Sequence, residues 1–262
     1  SDENSSTATV LIGVGDGTFQ SPLFGYSVEG FAGRTPLIAD FNGDSKPDIF
    51  ISNFVSDYTT AGTYLQNLGD GTFRGGRNYF ATQTQLNGFD AGLGIAIDDF
   101  NGDGVPDVVL GTAGPSGVGI EVFLGKSDGT LLPGTNYGTT GSFYFVASGD
   151  FNGDGKRDVI ASDAYTGDVD LFLGSGDGTF ASPQAFPAVP GGGGAAGVVV
   201  GDFNGDSISD VAVTGYPATV AVLFGSSSGL LPATTYAIHS DAAIISATDV
   251  NGDGYPDLLV PQ

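Results

Sequence analysis

The chain has 262 residues, 45 of them glycine, and a formal charge of −23 from 30 acidic against 7 basic side chains. No basic cluster exists to meet a phosphate backbone or an acidic lipid surface, so nucleic acid is not an expected partner. No apolar run reaches the roughly 20 residues of a membrane-spanning helix, so membrane insertion is not expected either. With no cysteine, disulfides and thiolate metal sites are ruled out, while a hydrophobic content of 40% is enough to fill a core. The polar opening Ser1-Asp2-Glu3-Asn4 fits a mature or trimmed chain.

In chain order, the apolar run Val10–Ile12 comes first. The turn Gly15-Asp16-Gly17-Thr18-Phe19 follows, then a strand ending near Tyr26. Asp-Gly between apolar runs predicts a hairpin, because glycine supplies the positive φ such turns need. Next is an acidic loop, Asp40-Phe41-Asn42-Gly43-Asp44-Ser45-Lys46-Pro47-Asp48, which leads into Ile49–Ile51. The same loop recurs at Asp99–Asp107, Asp150–Asp158, Asp202–Asp210 and Asp249–Asp257, with starts separated by 59, 51, 52 and 47 residues. The hairpin turn recurs in strict alternation with it, at Gly69–Phe73, Ser127–Leu131, Gly176–Phe180 and, in weaker form, Ser227–Leu231.

Each unit predicts four strands. One enters the loop (Ile95–Ile97, Phe145–Ala147, Val198–Val200) and one leaves it (Val108–Leu110, Val159–Ala161, Val211–Val213, Leu258–Val260). Such continuous apolar runs suit strands buried on both faces. A third strand precedes the turn (Val122–Leu124, Leu171–Leu173, Val222–Phe224), and a fourth ends near Tyr79, Tyr137, Phe186 or Tyr236. No segment predicts a helix, and Gly191–Gly194 after Pro190 reads as a flexible connector.

Four antiparallel strands per repeat describe the blades of an all-β propeller. Residues 1–262 are expected to form one five-bladed domain. Four blades are continuous, at about 35–80, 94–138, 144–187 and 197–237, and residues 1–27 and 244–262 supply the halves of a composite fifth. Closure by both termini removes free sheet edges. The rival reading is a fragment of a larger ring.

The acidic loops carry the expected chemistry. A hard divalent cation takes several oxygens from one tight loop. Side chains at positions one, three, five and nine supply them: Asp40, Asn42, Asp44, Asp48; Asp99, Asn101, Asp103, Asp107; Asp150, Asn152, Asp154, Asp158; Asp202, Asn204, Asp206, Asp210; and Asp249, Asn251, Asp253, Asp257. Position seven offers a backbone carbonyl, from Lys46, Val105, Lys156, Ile208 or Tyr255. Glycine at position four permits the bend, and Phe at position two, present in four of the loops, is expected to point away from the ion and wedge between blades. With no nitrogen or sulfur ligand, zinc and copper are disfavoured. Mg²⁺ can be accommodated, but a flexible multi-oxygen loop favours the larger Ca²⁺, at about five sites. Fifteen of the 30 acidic residues sit in these loops, and Ser45 and Ser207 replace glycine at position six. The turn residues Asp16, Asp70, Asp128 and Asp177 are explained as Asx-turn caps, with Ser228 in that place in the last turn.

The loop Asp-Phe-Asn-Gly-Asp-Gly-x-x-Asp, followed by an apolar strand and Gly-Asp-Gly-Thr-Phe, resembles the FG-GAP/VCBS repeat across essentially the whole chain. That resemblance implies calcium in the five loops. It also implies kinship with integrin α-subunit propellers and with bacterial secreted and surface proteins. The family's familiar members usually have seven blades, against the five counted here.

No further catalytic pattern stands out. His239 is the only histidine and has no nucleophile motif beside it, so an enzyme is not expected. The connections between strands two and three, and between blades, fall on the face opposite the acidic loops. There the sequence places Arg34, Tyr58, Asn87, Phe89, Asp90, Tyr144, Tyr165, Tyr216 and His239. Loops on a rigid scaffold commonly carry function. The expected role is therefore a secreted or cell-surface, non-catalytic binding or adhesion module for a carbohydrate or protein ligand. A polysaccharide-degrading enzyme built on a propeller and a structural spacer are the alternatives.

Overall fold

The computed structural model describes residues 6–21, 23–28, 36–55, 59–80, 94–112, 118–139, 141 and 143–261. The first strands, β1 (Ser6–Val10) and β2 (Leu23–Val28), form an antiparallel half-sheet. Sheet I follows as β3 (Pro36–Ala39), β4 (Asp48–Val55), β5 (Thr59–Asn67) and β6 (Phe73–Phe80). Sheet II holds β7 (Ile95–Asp98), β8 (Asp107–Gly111), β9 (Val118–Phe123) and β10 (Thr135–Thr139). Sheet III holds β11 (Phe143–Gly149), β12 (Asp158–Asp163), β13 (Asp168–Phe172) and β14 (Gln184–Pro187). In sheet IV, β15 (Ala195–Gly201), β16 (Asp210–Gly215) and β17 (Thr219–Leu223) precede a small hairpin, β18 (Gly225–Ser226) with β19 (Gly229–Leu230), and the edge strand β20 (Thr234–Ala237). A last half-sheet pairs β21 (Ser246–Thr248) with β22 (Asp257–Leu259).

Every pairing is antiparallel, and all but that of β17 with β20 join strands adjacent in sequence, as short turns dictate. The strands leaving the acidic loops, β8, β12 and β16, are buried along their whole length, which is why they are apolar without alternation. The hydrophobic cores lie between successive sheets, five in series from one half-sheet to the other. The position-two residues Phe41, Phe100 and Phe151, 2%, 1% and 0% exposed, seal three of these cores, as expected for interblade wedges. The fold is thus all-β, made of four-stranded antiparallel repeats of propeller-blade form. Among the described residues no pairing joins β1 to β22.

Three local expectations need correction. Residues Pro190–Gly192 form a 3₁₀ turn, and a Cβ at Gly193 or Gly194 would collide with the carbonyls of Tyr216 and Ala164. The glycine run is thus packed between two turns rather than a free connector. Tyr144 lies within β11 and not in a connection. The last hairpin turn is one residue shorter than its relatives: Gly225 pairs with Leu230, where Gly174 bridges Phe180 six residues on. As a result Leu230 is buried and Leu231 is 43% exposed, and the hydroxyl accepting the turn N–H belongs to Ser226 rather than Ser228.

Candidate metal centre

Each acidic loop runs from the end of a sheet's first strand to the start of its second, so two paired strands hold its ends. Glycine at position four takes left-handed φ in all five, from 71° at Gly43 to 81° at Gly252. Position six needs the same conformation; Ser45 and Ser207 adopt φ of 63° and 68° there, which a Cβ resists.

The polar geometry repeats from loop to loop. The carboxylate at position one gathers N–H groups of the bend: Asp99 accepts from Gly102, Asp103 and Gly104 at 2.8, 3.1 and 2.8 Å, and Asp150 accepts from Gly153, Asp154 and Gly155 at 2.7, 3.1 and 2.8 Å. Asn at position three accepts the position-five N–H at 2.8–2.9 Å in every copy. Asp at position five accepts the position-seven N–H at 2.8–3.0 Å. These are Asx turns, and they fix the bend from within. As the side chains stand, no group of three carboxylates among the described residues is gathered closely enough to grip an ion. The donor set is nonetheless all oxygen, and each carboxylate has about four acceptor sites, so the bonds within the bend leave capacity for a hard cation.

Position nine does a different job. Asp48, Asp107, Asp158 and Asp210 are fully buried. One oxygen of each accepts the position-two N–H at 2.8–3.2 Å. The other accepts an N–H at the end of the sheet's third strand or just past it. Burial pushes the Asp107 and Asp158 carboxyls up to about 6, and the carboxylates at positions five and one add to that rise in both loops. The carboxylates of one loop therefore repel each other across the bend, a cost that a cation would relieve.

Four overlapping stretches, residues 40–110, 99–161, 150–213 and 202–260, match the model of the FG-GAP-like repeat. The chain belongs to the FG-GAP-like repeat family. Each matched stretch runs from one acidic loop through the strand after the next, so the repeat unit spans the interblade core. Among solved structures, this FG-GAP-like repeat chain is similar to the Tc holotoxin pore of Photorhabdus luminescens, at 17% identity and TM-score 0.43, over 99% of this chain and 12% of that one. It is also similar to a chain of BBS1N in complex with ARL6DN, at 10% identity and TM-score 0.32, over 88% of this chain and 90% of that one. At those scores neither likeness bears on function.

The FG-GAP-like loops carry neighbours that the sequence did not reveal. The Tyr64 hydroxyl donates to Asp48 at 2.8 Å, giving the first loop's ninth carboxylate a third donor. Burial first, then that bond to Asp48, raises the Tyr64 phenol. Lys46 and Lys156, expected only as carbonyl donors, turn their ammonium groups onto Asp44 and Asp154 at 3.4 and 3.8 Å. In the hairpin turns, Asp16, Asp70, Asp128 and Asp177 accept the N–H two residues on at 2.9–3.0 Å, as Asx caps do.

On the opposite side, Tyr165 and Tyr216 sit in the turns joining strands two and three of sheets III and IV, 68% and 42% exposed. His239 is exposed beyond β20. Arg34, Tyr58, Asn87, Phe89 and Asp90 lie outside the described residues.

Proposed function

We propose that this FG-GAP-like chain is a calcium-stabilised, non-catalytic binding module, secreted or held at a cell surface. The carrying observation is the acidic loop repeated five times with one hydrogen-bonded shape, in which neighbouring carboxylates help to raise the buried Asp107 and Asp158. In each loop, the side chains at positions one, three, five and nine and the carbonyl at position seven would hold Ca²⁺. The ion supplies positive charge that offsets the carboxylates and stiffens the bend. On this reading the two half-sheets join as a composite blade, giving a five-bladed ring. The exposed Leu11 and Phe19 at one end, and Tyr236, Val250 and Leu259 at the other, support it, since the same positions are covered in the interior sheets.

The rigid turns around Tyr165 and Tyr216 then present a carbohydrate or protein ligand site opposite the loops. No helix among the described residues is long and apolar enough to cross a membrane. Extracellular calcium modules bind at about 10⁻⁴–10⁻³ M. At the tight end of that range, five sites in 1 mM calcium add about 7 kcal/mol to stability. Chelation should then lower the Tm by roughly 10–20 °C for a chain of this size. A melt unmoved by EGTA defeats the reading. A glycan array probed with wild type and with Tyr165→Ala/Tyr216→Ala tests the ligand face, where calcium-dependent binding lost in the variant is expected.

A further inference from the structure

Four of the five ninth-position carboxylates tie their loop to the end of the third strand of the same sheet. Their second oxygen accepts from Asn67, Gly125, Gly174 or Gly225, at 2.7, 2.7, 2.8 and 2.8 Å. Asp257 makes only the first bond among the described residues, from the Val250 N–H at 2.9 Å.

The matching donor stands at the other end of the chain. Gly13 bridges Phe19 as Gly125 bridges Leu131 and Gly174 bridges Phe180, so it holds the same place in its turn. A Cβ on Gly125, Gly174 or Gly225 would collide with the carbonyl at position eight of the loop, that of Pro106, Arg157 or Ser209. A Cβ on Gly13 meets nothing within 4 Å. Its φ is not one that requires glycine. The equivalent position-eight residue is Pro256. Beside β1 lies an apolar cavity of about 430 Å³, lined by β1 and by Pro36, Ile38, Ile49 and Ile51 of sheet I, on the flank where second and first strands would complete β1 and β2.

We infer that the loop Asp249–Asp257 is a cation-dependent clasp, in which Asp257 accepts the Gly13 N–H and β22 seats antiparallel on β1. The register follows from the interior sheets, where Val108 faces Phe123, Val159 faces Phe172 and Val211 faces Leu223. It sets Leu258 opposite Leu11, Leu259 opposite Val10 and Val260 opposite Thr9. The clasp rests on the calcium reading above. A cation in this loop stiffens the bend that aims Asp257, so occupancy of the fifth loop and closure stabilise each other, as linkage requires.

The chain has no cysteine, so Thr9→Cys with Val260→Cys gives a clean test of register and coupling. In millimolar calcium an intramolecular disulfide should form under mild oxidation, at least tenfold faster than in EGTA. Adding Asp257→Asn should erase most of that calcium dependence. Asp253→Asn, which does not touch the Gly13 contact, should reduce it as well, and circular dichroism checks that both variants fold. Calorimetric calcium titration of the same proteins separates the two ideas, because absence of any calcium binding defeats the underlying reading. Calcium binding with a cross-link rate indifferent to calcium overturns the clasp. Disulfides that join only separate chains overturn it too, by showing that a second copy fills the cavity.

Discussion

The junction between sheets III and IV and the two half-sheets, β1 with β2 and β21 with β22, are built from the same repeat, yet they differ in burial. Phe151 is 0% exposed between sheets III and IV, while Val250, at the same loop position, is 66% exposed. Tyr26 packs edge-on against Phe73 of the next sheet at 5.6 Å, while their counterparts Tyr236 and Phe19 are 55% and 65% exposed. The difference shows where the stability of this architecture resides. A single blade cannot cover its own faces, and each core exists only once a neighbouring sheet is in place.

The contrast can be broken most sharply by paired truncations. Phe151→Ala should cost about 3–5 kcal/mol, as for other buried aromatics. Val250→Ala should change stability by less than about 0.5 kcal/mol in chelator, and by about 1 kcal/mol in calcium if closure buries it. Urea unfolding of both variants, in calcium and in EGTA, measures the four values. Equal costs for the two residues in EGTA would erase the distinction between interior and end.

A smaller effect comes from a buried carboxyl in sheet III. Asp163, Asp168 and Asp170 lie on one face, since Asp168 is two residues from Asp170 and Asp163 is two residues from Ala161, the partner of Asp170 on β12. Burial, then the neighbouring Asp163 and Asp168, pushes Asp170 up to about 6. Its folded value therefore exceeds the unfolded one, so stability is lost as pH rises through about 6 and regained toward pH 4. Asp170→Asn should stabilise the protein by roughly 1–3 kcal/mol at pH 8 and by little at pH 4. Melts across that range decide it, and a gain independent of pH would refute the assignment.

The smallest effect separates the tyrosines. Tyr79 accepts the Leu131 N–H at 3.0 Å across the sheet I–II junction, so Tyr79→Phe should cost about 1 kcal/mol. Tyr236→Phe, exposed in this structure, should cost nothing measurable without calcium. Chemical denaturation resolves the pair, and a matching loss at Tyr236 in EGTA would mean that the ends already meet.

Much of this was legible in the sequence because it is local. The Asp-x-Asn-x-Asp spacing dictates Asx turns, Asp-Gly dictates hairpins, and the runs around Val108, Val159 and Val211 announce strands covered on both faces. What escaped depends on neighbours distant in the chain. Tyr64 reaches Asp48 across 16 residues, Gly193 is glycine because of the Tyr216 carbonyl, and the second bond of Asp158 comes from Gly174. The shortened turn at Gly225–Leu230 deceived because Ser-Ser-Gly-Leu-Leu aligns with its relatives by composition while its pairing drops one residue. For the site, residue types and spacing were readable. The double role of position nine as loop anchor and strand tie was not, since it needs the third strand in place.

Whether the acidic loops hold calcium is decided by counting ions. Equilibrium dialysis of the purified chain against millimolar calcium should find about five ions per molecule, with sub-millimolar to millimolar dissociation constants. A chain that stays folded and takes up no calcium at those concentrations would contradict the account.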